Sequence, residues 1–195
     1  VYPVSSLVIG EQLFATSTTA QTSKVSRGPQ LVQASTISAS ASVIVPLTTA
    51  FSRYILDLED VKLADAENLE MTVSVDGGSV YLSAGYTVHG TERVGSLIGW
   101  TDAATAMFTL HDDTNELGAG AGELPYRGTY EFTPGDGTVG FRIHGNASYH
   151  DGSGTFTALW LHGYNDNSVV RATHIKIVGE TSNMTSGLIR VWGIV

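Results

Sequence analysis

Ser52–Glu59 reads SRYILDLE, and its alternation decides the fold class: Tyr54, Leu56 and Leu58 fall on one side, Arg53, Asp57 and Glu59 on the other. A period of two belongs to a strand with one face in a core and the other in water. Leu69–Ser79 (LEMTVSVDGGS) repeats the period through Leu69, Met71, Val73 and Val75. It closes in Asp76-Gly77-Gly78-Ser79, a hairpin-type turn rich in residues that tolerate positive φ. Upstream, Ala41–Pro46 (ASVIVP) is short, apolar and β-branched. Downstream, strands are expected over Val80–Val88, Val94–Trp100, Thr105–Leu110, Gly128–Phe132, Thr138–Tyr149, Thr155–Tyr164, Arg171–Val178 and Gly187–Ile194. Gly135-Asp136-Gly137, Asp151-Gly152-Ser153-Gly154 and Asn165-Asp166-Asn167-Ser168 are the turns between them. The one helical candidate, Val61–Asn68, is too short to shape the fold. Short strands at this spacing, without α/β alternation, predict an all-β antiparallel sandwich or jelly roll.

Composition agrees. A chain of 195 residues suits one domain, with 22 glycines and only 15% charged residues against a usual quarter. Nineteen acids against ten bases give a net charge of −9, which argues against nucleic acid or an anionic membrane as partner. Cysteine is absent from the sequence, which excludes disulfides, thiolate metal sites and cysteine catalysis. No apolar run approaches the roughly 20 residues of a membrane-inserting helix. From Val1 onward the sequence does not read as a secretion leader.

Residues 1–29 differ from the rest. They are rich in Ser and Thr, their charges are Glu11, Lys24 and Arg27, and Gly28-Pro29 separates them from the strand pattern downstream. This is read as an extended N-terminal arm whose apolar positions Val4, Leu7, Ile9, Leu13 and Phe14 become ordered against a partner; a frayed terminus is the alternative. Residues 30–195 form the sandwich domain. Within it, Asp112–Arg127 reads as a long loop, and its Gly118–Gly122 run is no phosphate cradle, because neither a lysine nor a helix comes after it.

The chain carries no Gly-x-Ser-x-Gly elbow, and its acids fall in turns (Asp65, Asp136, Asp151, Asp166) or on outward strand positions. No catalytic residue, metal site or cofactor is therefore assigned. His144 and His162 fall on successive strands beside the Asp151 turn and are expected as near cross-strand neighbours, half-buried in a sheet. Aromatic faces beside amides and carboxylates suit a sugar, and Trp100, Tyr126, Tyr149, Trp160 and Tyr164 are the candidate rings. Large aromatics favour burial, so Trp160 is expected in the core, and Trp192 in the core or at a subunit interface. Trp100 with Asp102 at a strand end, and Tyr164 leading into Asn165, Asp166 and Asn167, are the expected ligand-binding positions.

The order of these motifs resembles a jelly-roll domain of tailed-bacteriophage and gene-transfer-particle virion proteins, of the tail-fibre or head-fibre type. The resemblance runs over about residues 30–195: Ile37–Val45, Phe51-Ser52-Arg53-Tyr54, Leu69–Ser79, Tyr81 and Tyr86. It closes with Ile175-Lys176-Ile177, Asn183, Ser186-Gly187 and Leu188-Ile189-Arg190-Val191-Trp192-Gly193-Ile194. It implies a non-enzymatic virion component, often a homotrimer, made in the host cytoplasm and carried on the extracellular particle. Such a component docks to other virion proteins at one end and faces host-surface glycan at the other. A head decoration or tail adaptor, and a secreted carbohydrate-binding module, are the competing readings.

Overall fold

A computed structural model describes residues 28–94, 96–111, 116–166 and 169–195, with backbone alone for 94, 96–98, 102 and 104. The arm positions Val4, Leu7, Ile9, Leu13 and Phe14 lie outside the described residues. The SRYILDLE stretch is in β3 (Arg53–Leu63), with Tyr54, Leu56 and Leu58 buried as their spacing predicts. Asp60 adopts a φ of 56°, and a register shift there moves the buried positions to Val61 and Leu63. The strand thus runs into the helical candidate Val61–Asn68. A few residues of helix cannot offset the cost of nucleation, whereas the two neighbouring strands hydrogen-bond this segment directly.

One antiparallel sheet has eight strands, in the order β1 (Gln30–Ser40), β12 (Met184–Ile194), β3, β8 (Tyr126–Thr133), β9 (Phe141–His150), β10 (Phe156–Asn165), β5 (Tyr86–Val94) and β6 (Ser96–Thr105). The other has four, β2 (Ser42–Pro46), β11 (His174–Gly179), β4 (Leu69–Ser74) and β7 (Phe108–Thr109). They pack as a β-sandwich around the inward residues of alternating strands, among them Leu56, Phe132, Ile143 and Leu161 from the large sheet and Val45, Met71 and Ile177 from the small one.

The core carries polar atoms that are paired rather than expelled. Tyr126 and Tyr130 donate to the Leu110 carbonyl at 2.6 and 3.3 Å, and Tyr149 donates to the buried Glu92 carboxylate at 2.7 Å. Burial raises the Tyr126 and Tyr130 hydroxyls well above their usual range. Tyr126 and Tyr149 are therefore core members and present no ring to a ligand.

The Asp76–Ser79 turn reverses the chain as its sequence predicts. Gly77 and Gly78 have φ of 81° and 86°, and Asp76 Oδ1 accepts from the Val80 amide at 2.9 Å. Only a single bridge, Ser74 to Tyr81, comes after it. The strand expected from Val80 begins at Tyr86, because residues 80–85 carry the chain from the small sheet to the large one.

Candidate functional site

The register of the eight-stranded sheet aligns one row of side chains across its solvent face. Leu31 faces Trp192, Trp192 faces Ile55, and Ile55 faces Glu131. The row continues through His144, His162 and His89 to Thr101. Two residues along, the next row runs Arg190, Asp57, Thr129, Asn146, Trp160, Thr91 and Gly99. Successive strand residues alternate faces, so both rows point away from the core.

Trp160 dominates this face. It is 54% exposed, at the centre of β10, and separates two shallow grooves. One, of about 500 Å3, is lined by His89, Thr91, Thr101 and His162 over the backbone of Gly90 and Gly99. The other, of about 590 Å3, is lined by Thr129, Asn146, Ser148 and Arg127, with Asp57 and Glu59 at its far side. Contrary to its expected place in the core, Trp160 shares the outward parity of His162 and Tyr164, while Leu159 and Leu161 on either side of it are buried.

The expected cluster of Trp100, Asp102, Tyr164, Asn165, Asp166 and Asn167 does not assemble as one site. Trp100 packs on the core side, its indole filling the space where a side chain on Gly90 would stand. Tyr164 is on the opposite, outer face, capped by the Arg142 guanidinium 5.0 Å from its ring centre. Arg142 in turn pairs with Asp166 at 2.7 Å. Asn165 is fully buried and donates its side-chain amide to the Ala84 carbonyl at 2.9 Å, so it braces the loop and faces no ligand. Asn167 and the Asp102 side chain lie outside the described residues; the Asp102 backbone pairs with Val88.

The expectation for the histidines holds in part. His144 and His162 are direct partners, as their positions suggest, but both are exposed rather than half-buried. His89 completes the row and is missed by sequence reasoning, because its place depends on the pairing of β5 with β10, strands far apart in the chain. Its ring lies 5.0 Å from that of His162, inclined by 27°, and its Nδ1 is 3.0 Å from Thr101 Oγ1. Among the described residues, no three His, Asp or Glu side chains converge on a point that could hold a metal.

The other end of the same face is apolar. Pro29, Ile55 and Trp192 line a groove of about 480 Å3 with Asp57 and Thr129 at its edge, and Leu31 stands beside it 52% exposed. Ion pairs run along β12, β3 and β8: the exposed Arg53 with Glu131 and Arg127 with Asp60, and the half-buried Arg190 with Asp57 and Glu59. The Arg127 hydrogen bond lowers the Asp60 carboxyl below its usual range. No family model matches this chain, and no curated protein or solved structure is significantly similar to it.

Proposed function

We propose that this chain is a non-enzymatic virion structural protein, a fibre- or spike-type jelly-roll domain that attaches to host-surface glycan and docks to its particle through residues 1–29. The strand order supports the jelly-roll part. Setting aside the hairpin-like insertions β5–β6 and β9–β10, the remaining eight strands, counted along the chain, form sheets ordered 1-8-3-6 and 2-7-4-5. This order agrees with the interleaving of two Greek keys expected of an eight-stranded jelly roll. The two insertions then lie side by side as β9-β10-β5-β6 and extend the first sheet.

The observation that carries the attachment reading is Trp160. A tryptophan exposed to 54% at mid-strand, between two grooves, leaves more than half of its surface open to a ligand. Flat sugar rings stack on such a face, and Asn146, Thr129, Thr91 and His162 beside it offer donors and acceptors for hydroxyls. Screening the full chain on an array of bacterial surface polysaccharides tests this. Binding that Trp160→Ala abolishes, while the variant still unfolds in one cooperative thermal transition, supports the reading; binding indifferent to Trp160, or none across the array, overturns it.

The architectural alternative, a head decoration or tail adaptor, is favoured by the apolar Pro29–Ile55–Trp192 groove, which suits a dehydrated contact with protein. A homotrimer would use the same surface. Light scattering after size exclusion distinguishes a trimer from a monomer that orders only among neighbours on the particle.

A further inference from the structure

We infer that His89 and His162 form a transition-metal site of the zinc, nickel or copper class on the outer face of the eight-stranded sheet. The inference does not rest on the glycan reading, with which it shares His162, and three observations carry it. First, the two residues are directly opposite each other on adjacent antiparallel strands, so the backbone fixes their separation. Second, their ring centres are 5.0 Å apart. An ion about 2.1 Å from one nitrogen of each imidazole lies about 3.2 Å from each ring centre, so a tetrahedral angle at the metal separates the centres by about 5.2 Å and a right angle by about 4.5 Å. The observed separation falls between those two, and because the rings lie stacked, inclined by 27°, the exposed His162 ring turns to aim a nitrogen at an ion held by His89. Third, His89 is already oriented. Its Nδ1 meets Thr101 Oγ1 at 3.0 Å, and in the tautomer whose Nδ1–H donates to that hydroxyl the lone pair for a metal is on Nε2.

The protein supplies two ligands, and the open groove of about 500 Å3 above Gly90 and Gly99 leaves room for water to complete the shell. His144, on the other side of His162, is not in ring contact with it among the described aromatic pairs and is not assigned as a ligand. Imidazole donors select zinc, nickel or copper over calcium and magnesium, which take oxygen ligands.

Zinc chloride titrated calorimetrically into the full chain tests the site, with magnesium chloride as the reference. The expected result is one zinc per chain, with no magnesium heat, and loss of zinc binding in both His89→Ala and His162→Ala. His174→Ala leaves binding unchanged. Thr101→Val, which removes the hydroxyl and keeps the branched shape, weakens it about tenfold while leaving the stoichiometry at one. Thermal melts confirm that each variant folds; all four substitutions are at exposed or half-buried positions. The inference is overturned if the wild type takes up no zinc, or if either His89→Ala or His162→Ala binds it as the wild type does.

Discussion

The two ends of the large sheet's solvent face share one hydrogen-bonded scaffold and differ in almost everything they present. At the β1–β12–β3 end, Leu31, Trp192 and Ile55 stand in register beside Pro29. At the β9–β10–β5–β6 end the same row has become His144, His162, His89 and Thr101, with Trp160 in the row beside it. A dehydrated protein contact suits the first, and a hydrated, directional ligand suits the second. The ion-paired band between them adds little stability, since exposed pairs contribute about 0–1 kcal/mol each. It places charge, through Arg53 and Glu131, between Ile55 and the histidines.

Both ends depend on the seam where β8 meets β9, and the largest effect is expected there. Gly145 faces Tyr130 across this seam, and a Cβ on it would collide with the Thr129 carbonyl oxygen and the Tyr130 ring. The obstruction is backbone, so it cannot swing aside. Gly145→Val should lower stability by at least about 3 kcal/mol, seen as a fall in the urea midpoint. A variant as stable as wild type would mean that the two halves are not rigidly joined.

Next in size is a contact that neither end touches. The Glu67 carboxylate is buried and accepts from the amides and hydroxyls of Thr181 and Ser182, tying the turn after β3 to the one before β12. Burial works to raise its carboxyl, and the hydrogen bonds from Ser182 and Thr181 outweigh burial, so the net shift is downward. A carboxyl lowered in the folded state stabilises the fold above its unfolded value, and that stability is lost as pH falls through the lowered folded one. Glu67→Gln should cost about 2–4 kcal/mol at neutral pH, because an amide cannot accept from every donor there. It should also flatten the acid limb of a pH–stability curve; an unchanged acid limb would assign that limb to other carboxyls such as Asp151, which the Ser153 and Thr155 bonds hold low against burial.

A crossed pair of substitutions then breaks or sharpens the contrast between the ends. Trp192→Lys should change the solution mass if the apolar end is an interface, and leave glycan and zinc binding as they were. Trp160→Ala should weaken glycan binding and leave the solution mass and zinc binding as they were, at a cost of roughly 1–2 kcal/mol because nearly half of the ring is covered. If either substitution moved both readouts, the face would be one surface rather than two.

How much of this is legible in the sequence depends on the range of the physics involved. Alternation is local, so SRYILDLE already separates Tyr54, Leu56 and Leu58 from their outward neighbours. Gly193 beside Trp192 reads as a place of close approach, and the Phe51 ring does occupy the space a side chain there would need. The outward place of Trp160 is legible too. Leu159 and Leu161 fix the inward parity of β10, and that local pattern outranks the general preference of large rings for burial, which points the other way. The place of His89 in the histidine row and the burial of Asn165 are not legible. The first needs β5 beside β10, and the second needs the Ala84 carbonyl brought to the end of β10; both are consequences of inserting one hairpin beside another.

The smallest expected effect concerns the loop at the end of β10, where Tyr164 leads toward the turn. Arg142 covers the Tyr164 ring and pairs with Asp166, so the aromatic face expected to meet a ligand is already occupied by a side chain of the same chain. The pair is exposed, with side chains 40% and 56% accessible, and a cation over an exposed ring contributes about 0.5–1 kcal/mol. Arg142→Ala should therefore cost under about 1 kcal/mol in a urea melt. Its more informative effect is on binding. Uncovering Tyr164 two residues along the strand from His162, and four from Trp160, lengthens the aromatic surface at the polar end. If ligand uses only the Trp160 grooves, the variant binds as wild type does. Tighter glycan binding would show that Arg142 normally closes one side of the site, and would extend the polar end of the face as far as the turn.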